Sequence, residues 1–205
     1  IPVIRAASTE YNAEIDELNA RKRLPACVGN CPANVDARAQ NFYTAAGRFL
    51  EAYEIVRDRN ILPGVLGRIC HHPCESACSR NQYDEALAIR PLHRFVSEEY
   101  ARFREARLAP FARTREETIA IVGSGPSGLT AAYDLMKLGY GVVMYEKDEK
   151  PGGALYSGVP AYRLPREVLH TEIHDLEVMG LDLKCGVHVG KDVPLNHFIG
   201  EYDAV

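Results

Sequence analysis

Apolar residues recur at helical spacing through the first half of the chain, whereas polar residues occupy the positions between them. This pattern predicts helices over residues 34–46, 48–59 and about 89–100, with a possible short helix over 8–21. Gly47 would end the first of these helices, and Pro63-Gly64 would lie beyond the end of the second. Aromatic residues on the apolar faces, among them Phe42 and Phe95, are predicted to be core.

The spacing of apolar residues changes after residue 117, where a strand pattern replaces the helical one. Thr118–Val122 is a short, β-branched apolar run that is typical of a buried parallel strand. A glycine-rich turn, a helical pattern over 127–138 and a second strand over 142–145 follow, which together form a strand-turn-helix-strand unit. Later, residues 165–179 predict an amphipathic helix ended by Gly180, and 181–189 an extended segment. The pattern therefore predicts an α-helical domain followed by a Rossmann-like α/β domain.

Pro110 and the polar run 113–117 read as a linker between the two parts. With the resemblance described below, we expect an N-terminal extension over 1–24, a cluster-binding helical domain over 25–112 and a nucleotide-binding domain over 117–205. The last residues, from Glu201 to Val205, look like the start of another strand. We expect them to lead into a further domain, which would leave the α/β domain incomplete in this chain.

Composition narrows the class of protein. The chain has 205 residues, 46% of them hydrophobic, and a net charge of −4. These values predict a folded core, and neither a membrane span nor a secretory signal is visible. We expect a cytoplasmic protein with neither a nucleic acid nor a membrane as partner.

Five of the six cysteines fall within residues 27–78, with the spacing Cys27-x3-Cys31 and then Cys70-x3-Cys74-x3-Cys78. Thiols clustered in this way in a cytosolic protein indicate a metal centre rather than disulfides. A structural zinc site prefers x2 spacing, although His71 and His72 lie nearby. A [4Fe–4S] cluster accepts less uniform spacing and is favoured. The two histidines would shape the loop, and Cys185 would be a small buried residue.

The segment from Gly123 to Gly128 is a G-x-G-x-x-G fingerprint at the junction of a predicted strand and helix. Gly123 permits the tight turn, Gly125 lets the backbone approach a pyrophosphate, and Gly128 lets the helix pack closely on the strand. Glu146 follows Gly123 by 23 residues and would hold the ribose hydroxyls of a nucleotide. The additional Pro151-Gly152-Gly153 loop favours FAD over NAD.

Taken together, the motifs resemble a known family. The segments 27–36, 67–78, 89–95, 123–128, 146–147, 151–153 and 158–165 resemble the small subunit of NADPH-dependent glutamate synthase. They are also similar to the N-terminal part of dihydropyrimidine dehydrogenase and to the large subunit of electron-bifurcating ferredoxin:NADP oxidoreductase. The resemblance implies an iron–sulfur domain ahead of an FAD domain, and a larger partner subunit in a hetero-oligomer.

The resemblance also implies particular site residues. FAD contacts would fall on residues of the glycine turn, the second strand end and the loops that follow: Gly123, Ser124, Gly125, Pro126, Ser127, Gly128, Glu146, Lys147, Gly153, Ala154, Arg163 and Val189. Metal ligands would be drawn from Cys27, Cys31, Cys70, Cys74 and Cys78.

One departure from the family pattern affects the ligand set. Two-cluster members carry a further C-x2-C before Cys27, where this chain has Arg23-Leu-Pro-Ala, so one cluster is expected to be missing or altered. In the family pattern Cys31, Cys70 and Cys74 share one cluster with the residue at the position of His93, and Cys27 and Cys78 belong to the other. We expect the surviving cluster to recruit Cys27 or Cys78, with His93 as the alternative.

The function implied is electron transfer from NAD(P)H through FAD to a [4Fe–4S] cluster and a partner subunit, with NAD(P)H bound by a domain outside this chain. The alternative is a non-catalytic assembly module that binds zinc and keeps a vestigial nucleotide fold. A redox enzyme with its own catalytic dithiol ranks last, because no C-x-x-C pair lies beside the glycine fingerprint.

Overall fold

A computed structural model describes residues 24–103 and 108–205, so the predicted helix over 8–21 lies outside the described residues. The helical part contains six α-helices and a short 3₁₀-helix in its described residues. They are α1 (Ala26–Gly29), α2 (Ala37–Ala45), α3 (Phe49–Arg57), α4 (Pro63–Ile69), α5 (Pro73–Ser76), the 3₁₀-helix Ser79–Gln82 and α6 (Ile89–Ala101).

The α/β part follows with three strands and four helices in its described residues. They are β1 (Thr118–Val122), α7 (Pro126–Lys137), β2 (Gly141–Glu146), α8 (Ala154–Ser157), α9 (Arg166–Val178), β3 (Asp182–Cys185) and α10 (Leu195–Glu201). A helical domain followed by a Rossmann-like unit confirms the predicted fold class.

Residue chemistry explains where two of the helices begin. Asp36 caps α2, because its Oδ1 accepts the N–H groups of Arg38 and Ala39, each at 3.1 Å. Pro63 does not merely follow a helix, as the sequence pattern suggested, but opens α4. Proline suits the first turn of a helix, because it lacks the N–H that would be unpaired there and its φ is already helical. The Asn60 side chain supports the preceding bend by accepting the N–H of Leu62 at 3.2 Å.

The three strands form a parallel sheet in the order β1-β2-β3. Thr118 lies opposite Gly141, and Val143 opposite Asp182, so the carboxyl ends of β1 and β2 meet at one edge of the sheet. On the other side of β1, Ala204 forms a parallel bridge with Ile119. The segment that we expected to start another strand therefore does pair with the sheet.

The largest hydrophobic core is shared by both parts of the chain. Ile61, Leu62 and Val65 from the helical part pack with buried residues of α7 and α9, such as Leu129 and Ile173. The expected linker is also packed, since the Phe111 N–H donates to the Met179 carbonyl at 2.9 Å. The helical and nucleotide-binding parts are thus joined by apolar packing as well as by the chain. The domain boundaries predicted above stay a prediction.

Two predicted core positions are wrong. Phe42 is 67% exposed, because it lies on the side of α2 turned away from the packed helices. Cys185 is exposed as well, since β3 is a short strand at the edge of the sheet among the described residues. Phe95 is 38% exposed, which is also more than a core residue shows. None of the described helices has both the length and the apolar character needed to cross a membrane.

Candidate cluster and nucleotide sites

The five clustered cysteines lie on short helices and the turns between them. Cys27 is in α1 and Cys74 in α5, and these two helices contact each other. Cys31 follows α1, Cys70 follows α4 directly, and Cys78 precedes the 3₁₀-helix. Cys74 is buried and packs with Ala37 and Ile89, and Cys27 packs against the same group. Segments that are distant in the sequence therefore bring their thiols to one region.

Electrostatic coupling divides the cysteines into two sets. Burial, together with the charges of Cys31, Glu75 and Cys70, raises the pKa of the Cys74 thiol to about 11. Burial likewise raises the pKa of Cys27, and Cys78 adds to that shift. Cys31, Cys70 and Cys74 are thus close enough to interact, and so are Cys27 and Cys78. The assignment of ligands to clusters that the family pattern implies stays a prediction.

A network of backbone and side-chain groups holds the loop of Cys70. His72 adopts a left-handed conformation with φ of 48°, and its N–H lies 3.3 Å from Cys70 Sγ as a donor. The Arg90 guanidinium donates to the Cys70 carbonyl at 3.1 Å, and the Arg90 N–H donates to Glu75 Oε1 at 2.7 Å. Arg90 and Glu75 lie in the segments that carry the family resemblance, but their bonding to each other was not predicted, because it depends on the contact between α5 and α6.

The helical part also contains buried polar atoms without hydrogen-bond partners. They are both amide atoms of Gln40, Oδ1 of Asn41 and Nε2 of His93, together with His72 Nδ1, which lies 3.2 Å from Glu75 Oε2 in a geometry unsuited to a hydrogen bond. Burial lowers the pKa of His93 to about 4, so its imidazole is neutral. Buried polar groups normally have a partner. Within the described residues, all of these atoms lie in the helical part that carries the clustered cysteines. This is expected if a bound polar group supplies their missing partners.

No three His, Cys, Asp or Glu side chains in residues 24–103 and 108–205 converge in a way that would hold one metal ion. A zinc ion needs its ligands within about 2.3 Å of a single point. In a [4Fe–4S] cluster each thiolate ligates a different iron atom, so the ligands stand farther apart. The described side chains therefore do not form a site for a single zinc ion.

The glycine turn has the geometry that the fingerprint predicts. Gly123 has a φ of +102°, and a Cβ at Gly128 would overlap the Gly123 carbonyl. A Cβ at Gly123 or Gly125 would instead enter open space. Gly128 is thus required for packing of α7 on β1, whereas the other two leave room beside the turn for a phosphate-bearing ligand.

Ser124 and Glu146 form a buried network beside the turn. Glu146 Oε2 accepts the Ser124 N–H at 2.8 Å and its hydroxyl at 2.5 Å, and Glu146 Oε1 accepts the Asp148 N–H at 3.0 Å. Burial alone would raise the pKa of Glu146, but these hydrogen bonds outweigh it and the net shift is downward. Glu146 is therefore ionised at the end of β2.

The second glycine loop packs directly on the first. The Gly152 N–H donates to Ser124 Oγ at 3.1 Å, and a Cβ at Gly153 would lie only 3.0 Å from Gly125 Cα. Gly153 has a φ of +52°, and Ala154 begins α8 just after it. The two glycine-rich segments, whose contacting residues are 28 positions apart in the sequence, thus form one surface.

The remaining predicted nucleotide contacts fall in two places. Residues 186–189 run beside the end of β2, because the Val187 N–H donates to the Glu146 carbonyl at 2.9 Å. This places Val189 near that end, where Lys147 is exposed. Arg163 lies elsewhere, in a cleft of about 460 Å³ between the two parts of the chain, together with Arg68, Arg90, Arg94, Tyr162 and their neighbours.

A buried carboxylate connects the two parts. Glu172 of α9 accepts the N–H of Gly64 at 2.6 Å and that of Val65 at 3.0 Å, in the first turn of α4. Burial raises the pKa of Glu172 to about 7, although these hydrogen bonds oppose the shift. The opposite end of α4 leads into Cys70. The periodicity of α9 did not single out Glu172, because its partners lie more than 100 residues away.

Two family descriptions match the chain in the order that the motifs predicted. Residues 19–105 match dihydropyrimidine dehydrogenase domain II, 4Fe-4S cluster. Residues 121–188 match the NAD(P)-binding Rossmann-like domain. These matches favour the iron–sulfur interpretation of the cysteines over the zinc alternative.

Curated relatives extend across both matches. The chain is 40% identical to the NADP(+)-dependent formate dehydrogenase subunit beta of Moorella thermoacetica, with 87% of this chain and 28% of that protein aligned. It is 36% identical to the NADPH-Fe(3+) oxidoreductase subunit beta of Geobacter sulfurreducens, over 87% and 27%. It is also 36% identical to the NAD-dependent dihydropyrimidine dehydrogenase subunit PreT of Salmonella typhimurium, over 87% and 44%.

The chain spans between 27% and 44% of the length of these relatives. All three are named as subunits of NAD- or NADP-dependent oxidoreductases. The chain thus contains a match to a 4Fe-4S domain of the dihydropyrimidine dehydrogenase type ahead of a match to an NAD(P)-binding Rossmann-like domain, and over both it is similar to these subunits, in agreement with the family that its motifs resemble.

Proposed function

We propose that this chain holds a [4Fe–4S] cluster and FAD, and that it passes electrons from NAD(P)H to a larger partner subunit in a hetero-oligomer. The names of the three relatives support NAD(P)H as the donor and a multi-subunit protein as the setting. The two packed glycine-rich loops favour FAD, rather than a second NAD(P) molecule, as the nucleotide bound at the glycine turn. When bound, FAD can accept two electrons as a hydride and pass them on one at a time. The cluster carries single electrons onward.

The observation that carries this proposal is the contact between Glu172 and α4. That helix receives Glu172 from the nucleotide-binding part at one end and leads into Cys70 at the other. Together with the shared apolar core, it makes one packed body of the cysteine region and the glycine turn. Electron transfer between two centres requires a fixed separation, which such packing supplies.

For the cluster we propose Cys31, Cys70 and Cys74 as three ligands. Their mutual effect on the pKa of Cys74 supports this choice. For the fourth ligand we propose Cys78 or Cys27, because thiolate is the usual ligand of cluster iron, with His93 as the imidazole alternative. Its buried, unpartnered Nε2 supports that alternative.

For FAD we propose that the glycine turn receives the pyrophosphate. Gly123 and Gly125 leave room for it, and Pro126, Ser127 and Gly128 form the first turn of α7, whose N–H groups and dipole favour an anion. Ser124 keeps Glu146 ionised, so that the carboxylate can accept hydrogen bonds from ribose hydroxyls.

The other proposed contacts surround this turn. Gly153 and Ala154 continue the surface beside Gly125. Lys147 and Val189 lie near the end of β2 and would border the adenosine. Arg163 would supply a cation to the part of the cofactor that reaches the cleft between the two parts of the chain.

An anaerobic titration tests the proposal. The purified protein should contain flavin, iron and acid-labile sulfide, and it should absorb broadly near 400 nm. In a full-length protein that includes the NAD(P)H-binding domain expected outside this chain, NADPH or NADH should bleach the flavin first and then produce the electron paramagnetic resonance signal of a reduced cluster. A colourless protein that contains zinc in place of iron would overturn the proposal in favour of the assembly module.

The fourth ligand is tested by changing Cys27, Cys78 and His93 to alanine one at a time and measuring iron per chain. One variant should lose the cluster while the other two keep it. Retention of the cluster in all three would overturn the idea of a unique fourth ligand.

A further inference from the structure

Gln40 is a fully buried glutamine whose side chain finds no partner. Neither its Nε2 nor its Oε1 makes a hydrogen bond, and none of the residue's surface is exposed. Leaving a buried amide unpaired costs on the order of 1–3 kcal/mol. A leucine at this position would avoid that cost, so the amide needs a partner that the polypeptide does not supply.

The contacts that α2 makes on either side of Gln40 show where this residue lies. At the start of both helices, Ala37 packs with Ile89 and with Cys74, and Cys27 joins the same group. Further along α2, Tyr43 packs against a group formed by residues of α3 and α6, namely Ala52, Tyr53, Val96 and Tyr100. Gln40 lies between these two points of contact along α2.

A second unpartnered polar side chain, that of His93, lies on α6. His93 follows Ile89 by four residues and precedes Val96 by three, so it lies on the same side of α6 as these two buried residues. Its Nε2 is also buried and unpartnered. Gln40 follows Ala37 by three residues, on the side of α2 that meets Cys74. Two unsatisfied polar side chains thus flank the region of the cysteines from adjacent helices.

We propose that Gln40 faces the iron–sulfur cluster and donates a side-chain N–H hydrogen bond to one of its sulfur atoms. The inference rests on the proposed function, since it assumes that the cluster is bound. Cluster sulfur is an acceptor that carries negative charge, and the hydrogen bond supplies the amide with its missing partner. Such a bond stabilises the reduced cluster more than the oxidised one, because reduction adds negative charge.

The test compares the holoprotein with Gln40→Met, which keeps the length of the side chain but has no N–H donor. Gln82→Met is the matched control, because Gln82 is an exposed glutamine of the same part of the chain. The midpoint potential of the cluster is measured by an anaerobic titration followed by electron paramagnetic resonance. Iron and sulfide per chain are measured on the same samples.

Gln40→Met should keep wild-type iron and sulfide and shift the midpoint potential to a more negative value, whereas Gln82→Met should match the wild type. An unchanged potential in Gln40→Met overturns the proposal. Loss of iron from a folded Gln40→Met chain also overturns it, because the amide would then be needed for cluster retention rather than for tuning.

If Gln40→Met does not fold, Gln40→Leu provides the same test, since leucine fills a similar volume, carries no charge and offers no N–H. It should lower the potential, and an unchanged or raised potential would count against the proposal. A wild-type protein without iron and sulfide would overturn the proposed function and this inference together. A wild-type cluster with an insensitive potential would overturn this inference alone.

Discussion

The cysteine region and the glycine turn differ in how their polar groups are satisfied. At the glycine turn, Ser124, Glu146, Asp148 and Gly152 bond to one another, so the network is complete within the polypeptide. In the cysteine region, Gln40 and His93 are buried with unpartnered atoms, and Cys74 has a thiol pKa raised to about 11 by burial and neighbouring charge.

This difference indicates how each site depends on its ligand. The glycine turn has its shape before a nucleotide binds, because hydrogen bonds within the chain define it. On the proposed function, the cysteine region would gain its missing interactions when iron and sulfide bind, since iron displaces the thiol protons and cluster sulfur can accept hydrogen bonds from buried polar atoms. Folding and cofactor binding should therefore be coupled more strongly in the helical part than in the α/β part.

The largest effect is expected for Cys74→Ser, because Cys74 is the buried thiol of the set. A serine hydroxyl is a poorer iron ligand than thiolate, so the variant should lose more than half of its iron and sulfide. Hydrogen exchange should rise in α1, α2, α5 and α6, with little change in β1, β2 and α7. Chemical analysis and mass-spectrometric exchange measure both outcomes.

Cys185→Ser is the control for this experiment. Cys185 is exposed on β3, away from the other cysteines in sequence, and its replacement should leave iron content unchanged. Equal loosening of both parts in Cys74→Ser would contradict the contrast between the two sites.

The contact of Glu172 with α4 predicts a pH dependence of stability. Its pKa is raised to about 7 from an ordinary value near 4.5, mainly by burial. The folded state therefore binds a proton more tightly than the unfolded state does, so this stabilisation is complete below about pH 4.5 and is lost as the pH rises through 7. Relative to Glu172→Gln, the wild type should lose a few kcal/mol of unfolding free energy between pH 5 and pH 8.

Urea unfolding at a series of pH values measures this difference. The charges of Arg68 and the buried Asp175 also affect the pKa of Glu172. The change with pH in the difference in unfolding free energy is therefore more informative than the size of that difference at one pH. Glu167→Gln, an exposed change on the same helix, should show the same pH profile as the wild type. Parallel profiles for the wild type and Glu172→Gln would contradict the assignment.

Ser124→Ala should have a moderate effect that is confined to the nucleotide site. It removes the hydroxyl that donates to Glu146 and accepts from Gly152, which leaves buried groups unpaired at a cost of about 1–3 kcal/mol. We expect lower flavin content and a lower unfolding free energy, but unchanged iron. Ser157→Ala is the control, since its exposed hydroxyl bonds only to the Gly153 carbonyl. Iron loss in Ser124→Ala would show that the two sites are not separable.

The smallest effect is expected for Asp58→Asn. Asp58 lies 2.6 Å from Lys137 Nζ and joins the helical part to α7 across an exposed surface. The hydrogen bond from Lys137 lowers the pKa of Asp58 despite partial burial. The stabilisation is therefore present above about pH 4 and is lost as the pH falls. An exposed pair of this kind contributes about 1 kcal/mol or less, and the difference should shrink at high salt.

Sequence patterns predicted those features whose cause is local. The helices α2, α3 and α6, the strands β1 and β2 and the glycine turn follow from residues a few positions apart, and each prediction lies within about three residues of the observed bounds. The same patterns misjudged the burial of Phe42 and Cys185 and did not predict that Pro63 opens a helix. Proline both follows one helix and opens another, and burial of a side chain depends on whether another element covers it.

The sequence by itself therefore determined the two candidate sites, which are the clustered cysteines and the glycine turn. It also determined their order along the chain and most of the elements that carry them. Only the tertiary structure decided which cysteines act on one another, that Glu172 reaches α4, and that Gln40 is buried without a partner. The physical reason is distance along the chain. Helical and strand periods report on neighbouring residues, whereas these contacts join segments dozens of residues apart and exist only when the elements pack together.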